Sequence, residues 1–264
     1  SGCDVILDDI GTSAYTEEVI ISDNKFNNGG HFVDVAIEPQ NPTSNEHIRN
    51  IIYERNLHMF GGGNGQSVVR MHGVEMTCRN NLVIATNGNS DENNGFLLVG
   101  IDPVDGNVPA PTRTFLLNNT IYRGDAPASA IVGVIITAGS DLTTVQNNLF
   151  YTPAFSTTDV ISGTGTNSTI SNNSTDANSD TDPTFLNASG NLNIATDFKL
   201  SPTTGSTWLG AGADGTLARS DYFRLLRDWQ TPNTDLGFDA SQNEGSFPDS
   251  GPASSAVLMP QICL

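Results

Sequence analysis

Lysine is nearly missing from this chain, with Lys25 and Lys199 the only two. Acidic residues are plentiful, and the formal net charge at pH 7 is −18. Such a surface repels phosphate backbones and anionic bilayers, which argues against nucleic acid and acidic membranes as partners. Long apolar runs are missing too. No stretch reaches the roughly 18 consecutive apolar residues of a membrane span, and no signal-peptide pattern remains, so no transmembrane segment is expected. Helix signals are scarce: "SDYFRLLRDWQ" (220–230) is the one clear amphipathic candidate, with Phe223, Leu226 and Trp229 on one face. Cysteine is limited to Cys3, Cys78 and Cys263, which make no obvious disulfide framework. Cys3 and Cys263 lie near opposite ends, to pair within a folded-back chain or between molecules. Acidity with so little lysine suits a secreted or cell-surface protein, in a medium salty enough to screen its charges.

What the chain has instead is asparagine at regular places. "TVQNNLFY" (144–151) puts Asn147-Asn148 inside an apolar stretch that otherwise reads as a strand, where Asn is normally depleted. The arrangement recurs in "IISDNKF" (20–26), "IYERNLH" (52–58), "TCRNNLV" (77–83), "FLLNNTI" (115–121) and "TISNNST" (169–175). Its second polar position is Asn24, Asn56, Asn81, Asn119, Asn148 and Asn173, at intervals of 32, 25, 38, 29 and 25 residues. Units of this length stack, because none can bury its own apolar face. A propeller blade needs four strands per unit, more than 25 residues supply. Asn tolerates left-handed corners, and stacked amides can pass hydrogen bonds from coil to coil. The expected fold is all-β: a right-handed parallel β-helix with stacked Asn corners and an irregular C-terminal cap or tail. Cys78 takes the place of Val145 in its repeat, so it is expected as a buried free thiol.

The coils are expected over 1–185, a closing coil and cap over 186–240, and a linker-like tail over 241–264. "DTDPTFLNASGNLNIATDFKLSPTTG" and, further on, "TDLGFDA" (234–240) resemble the closing segment of secreted bacterial right-handed β-helix proteins. There an Asp-Pro-x-Phe turn precedes a last strand and a final Asp-Leu-Gly-type motif. The opening "DVILDD" carries no cap and reads as mid-solenoid sequence. Either a longer precursor precedes Ser1, or another subunit covers this end.

A second strand per coil is expected in "VDVAIE" (33–38), "SVVRMHG" (67–73), "GFLLVG" (95–100), "GVIITAG" (133–139) and "DVISG" (159–163). Aligning their closing glycines turns Val69 and Met71 inward and Arg70 and His72 outward, with Ala36 beside Arg70 and Glu38 beside His72. The outward surface then continues as an apolar band through Leu97, Val99, Ile136, Ala138, Val160 and Ser162, open to the C-terminal tail. All four histidines, His31, His47, His58 and His72, fall in one window, with His58 at an inward offset as a core residue. His72, outward beside charged neighbours, is the candidate site histidine.

The stretch "GQSVVRMHGVEMTCRNNLVIATNGNSDENNGFLLVG" (65–100) resembles the catalytic region of alginate lyases related to chondroitinase B. The resemblance implies Arg70 and His72 as site residues and uronate β-elimination assisted by calcium. Glu38 stands near the place of that family's lysine. Calcium has a second candidate site in Asp176, Asn178, Asp180 and Asp182, whose alternating oxygens resemble the start of an EF-hand loop. Two functions follow. One is a secreted protein that binds or processes an extracellular polysaccharide. The other is a structural, adhesive or filament-forming solenoid whose partner is another copy of itself.

Overall fold

The computed structural model describes residues 3–7, 15–28, 33–37, 48–61, 67–87, 97–99, 110–123, 133–151 and 160–174, together with Phe185 and Phe198. These residues form a parallel β-solenoid. Among them there is no α-helix, and therefore none long and apolar enough to cross a membrane. The helix expected at 220–230 lies outside the described residues.

Each of the first five described coils contributes to three sheets, one more than the sequence pattern implies, and all pairing is parallel. The first sheet stacks Cys3–Leu7, Val33–Ile37, Ser67–Met71, Leu97–Val99, Val134–Ile136 and Ile161–Ser162. The second begins with paired short strands, Thr16–Glu17 and Ile20–Ser22, then Ile48–Arg49 and Ile52–Glu54. It continues through Val74–Arg79, Thr112–Leu117, Thr144–Gln146 and Thr169–Ser171. The third stacks Lys25–Asn28, Leu57–Gly61, Leu82–Asn87, Thr120–Arg123 and Leu149–Tyr151. In the first sheet, five of the six strands, all but Cys3–Leu7, fall within the five segments read from the sequence.

Equivalent side chains of successive coils fall into inward rows. Ile37, Met71, Val99 and Ile136 form one on the first sheet, each paired in register with the next. Tyr53, Cys78, Leu116 and Val145 form another on the second. Phe26, His58, Val83, Ile121 and Phe150 complete the core on the third. Burying an aliphatic or aromatic side chain of this size stabilises by roughly 1.5–3 kcal/mol, so the rows supply the main driving force. His58 sits in this core as expected: its ring stacks on Phe26 with centroids 4.6 Å apart and shares a 2.6 Å hydrogen bond with the Tyr53 hydroxyl.

The outer face of the third sheet is also buried. Leu57, Leu82 and Leu149 are covered, as are Ile84, Tyr122 and Tyr151. Phe185 and Phe198, from the segment following the repeats, pack edge-on against Tyr122 at centroid distances of 6.1 and 4.9 Å. Apolar cover therefore goes to the third sheet. The apolar band expected on the first sheet is not an outer surface, because Val99, Ile136 and Val160 belong to the core.

Candidate functional site

Within each repeat, the two polar positions divide two jobs. The first adopts the left-handed conformation that turns the chain from the second sheet to the third: φ is +61° at Asp23, +54° at Arg55, +55° at Asn80, +53° at Asn118, +59° at Asn147 and +52° at Asn172. The second forms the ladder. The Nδ2 of Asn24, Asn56, Asn81, Asn119 and Asn148 donates to the Oδ1 of the next ladder asparagine at 3.0, 3.2, 2.9, 2.9 and 2.9 Å. Each of those Oδ1 atoms also accepts the backbone N–H of the preceding rung, at 2.9–3.1 Å. The other Nδ2 proton reaches back to a carbonyl of the preceding coil, as from Asn119 to Cys78 at 3.0 Å and from Asn148 to Leu116 at 2.9 Å. Inner rungs use both acceptor lone pairs and both donor protons, which is how a buried amide avoids its desolvation cost. That answers why Asn147 and Asn148 are adjacent: one bends the backbone, and the other ties the coils.

A second left-handed corner escaped the sequence reading. Glu18, Asn50, Glu75, Arg113, Leu142 and Asn167 all have positive φ, between 50° and 59°. Each precedes the first corner by five residues, so the two corners keep one spacing through every coil. Only Asn50 and Asn167 are residue types that favour this geometry, so composition carries little trace of it. Stacking of neighbours imposes it on the rest.

Charge is placed along the coils too. Arg55 grips Asp23 through Nε and Nη2, both at 3.0 Å, and reaches Glu54 through Nη1. Glu54, only 3% exposed, also accepts from Arg79 Nε at 2.7 Å. This chain of charge-assisted bonds stitches three coils at one corner, and its buried member is paired on both sides.

Cys78 is a free, buried thiol beside the ladder, with Asn81 Nδ2 3.3 Å from its sulfur. Burial pushes its pKa up to about 12, with the Asn81 hydrogen bond opposing. A thiol held protonated in this way is no nucleophile.

Arg70 pairs with Ala36 as expected. Beyond that pair the register departs from the aligned glycines, which set Leu97, Ile136 and Val160 in the row of Arg70: Arg70 pairs with Leu98, Leu98 with Ile135, and Ile135 with Ser162. Val99 lies beside Met71 instead, inside the core. The closing glycines are not equivalent positions, and a slip of one residue exchanges the faces of a strand. His72, expected outward and accessible, is fully buried, and Arg70 is 6% exposed. Glu38 lies outside the described residues, as do Asp176, Asn178, Asp180, Asp182, His31, His47 and Cys263. Among the described residues no three His, Cys, Asp or Glu side chains come together as a metal site. No protein-family model matches the chain, and no curated protein matches its sequence. What the geometry defines is a parallel β-solenoid held by an asparagine ladder.

Proposed function

We propose that the protein is a non-catalytic structural module, a solenoid of the surface or adhesive kind that works outside the cell. The burial of His72 and Arg70 carries this reading. A general acid or base must come within hydrogen-bond reach of its substrate, which the fully buried His72 does not offer and the 6% exposed Arg70 barely does. The polar chemistry of the described residues is instead committed to joining coils: amides to amides at one corner, carboxylates to guanidinium groups beside it. The acidity and scarcity of lysine support an extracellular setting, where salt screens a charge of −18.

The lyase-like stretch favours the competing reading of a polysaccharide-processing protein with calcium. Incubation with a panel of uronate polymers, with and without calcium, separates the two by absorbance of the unsaturated product. The structural reading expects no product and no binding. Turnover by the parent protein, lost in both Arg70→Ala and His72→Ala, would overturn it.

A further inference from the structure

The ladder has a direction, and its two ends are complementary. From Asn56 to Asn173 every Oδ1 is filled by the backbone N–H and the Nδ2 of the rung before it. Asn24, at the head, is exposed, and no described residue donates to its Oδ1 in this way. At the tail, Asn173 Nδ2 donates to Val145 and Ser171 carbonyls at 2.9 and 3.0 Å, and no further Oδ1 receives its backbone N–H. The head presents an acceptor, and the tail presents the Asn173 backbone N–H.

The strands on either side repeat the pattern. Among the described residues, Ile20–Ser22 pairs only with Ile52–Glu54, and Thr169–Ser171 only with Thr144–Gln146. Free edges are normally blunted with a charge, a proline or a bulge, and "IIS" and "TIS" carry none of these. Apolar surface is exposed at both: Ile170, in the inward row, is 39% accessible at the tail, and Ile20, on the outer face of the head strand beside the half-buried Ile21, is 51% accessible. Beside Ile170 lies a depression of about 280 Å³ lined by Val160, Ile161, Asn173 and Ser174.

We propose that these edges receive each other, and that copies of the chain stack head to tail through the second sheet. Continuing the observed register sets Ile170 of one copy on Ile21 of the next, Ser171 on Ser22, Asn172 on Asp23 and Asn173 on Asn24. Asn173 then donates to the empty Oδ1 of Asn24, and the ladder runs on across the junction. The contact is heterologous and does not close on itself, so it propagates as a filament. With each copy at −18, repulsion opposes stacking and salt promotes it. This names the partner within the structural reading above and rests on it. The association assay does not register catalysis, so failure of stacking and failure of that reading are separable.

Sedimentation velocity of the full chain, across concentration and ionic strength, is the test. The parent is expected to form species larger than dimers, increasingly as salt rises. Ile170→Asp blocks the tail with a charge that stacking would bury, and Ile21→Asp, its partner in the continued register, blocks the head in the same way, with Ile20→Asp on the same edge replacing it if the fold suffers. Each alone should weaken association by at least about tenfold. An equimolar mixture of the two should form dimers and nothing longer, because one open head and one open tail remain. Thr169→Asp replaces Ile170→Asp if the latter does not melt like the parent. A parent that stays monomeric at the highest concentration and salt it tolerates would overturn the proposal. So would single variants that assemble like the parent, or a mixture that stays monomeric.

Discussion

Replacing Asn119 by alanine isolates the contribution of one inner rung. Its Oδ1 accepts the Asn81 backbone N–H at 3.1 Å and Asn81 Nδ2 at 2.9 Å, and its Nδ2 donates to Cys78 O at 3.0 Å and Asn148 Oδ1 at 2.9 Å. Truncation leaves the buried Asn81 N–H without that acceptor, a loss of about 1–3 kcal/mol. Asn148 Oδ1 keeps one of its two donors, the Asn119 backbone N–H at 2.9 Å, and Asn81 Nδ2 keeps Tyr53 O at 3.1 Å. Those partial losses add less, and the sum is on the order of 3 kcal/mol. Asn24→Ala is the matching control. That side chain is exposed, and Asn56 Oδ1 keeps the Asn24 backbone N–H at 3.0 Å, so the cost should stay below about 1 kcal/mol. Asn119→Asp puts an oxygen where Nδ2 faced two acceptors, and buries a charge. It should cost more than alanine at neutral pH, and the gap should narrow as acid protonates the new carboxyl. Urea denaturation followed by far-ultraviolet circular dichroism reads all three. An Asn119→Ala midpoint equal to the parent's, or an Asn24→Ala loss as large as that of Asn119→Ala, would refute the ladder's energetic role.

Two further outcomes follow from the same packing. Cys78 is raised from an ordinary 9.0 to about 12, so the folded thiol keeps its proton while the unfolded one ionises. Its stabilisation is intact below pH 9 and should fall by roughly 1.4 kcal/mol per pH unit between about 9 and 12. The stability difference between the parent and Cys78→Val, measured across that window, reads this loss, and a flat difference would contradict it. Gly163 has φ of +78°, and a Cβ there would lie 2.1 Å from the Ile136 carbonyl oxygen. Gly163→Ala should lower stability by about 2 kcal/mol, and an unchanged melting curve would contradict the close approach.

The stacking of asparagines was legible in the sequence because its cause is local to each repeat. A polar residue flanked by apolar ones returns once per coil, and a buried amide is tolerated only where the next coil supplies its partner. The inward place of Cys78 and the core place of His58 followed from the same offsets. The rung itself was legible, because the second polar position is Asn in all six repeats while the first is Asp, Arg or Asn. The tertiary structure alone showed that the first residue takes the left-handed corner. It alone revealed the second corner, where Glu75, Arg113 and Leu142 take a conformation their side chains do not favour. Faces on the first sheet were also beyond sequence reading. The loops between coils vary in length, and the closing glycines do not mark one register, so Val99 and Ile136 moved from a supposed outer row into the core. His72 changed meaning in the same way. Strand position places a residue on a face, but whether other parts of the chain cover that face is a property of the folded molecule.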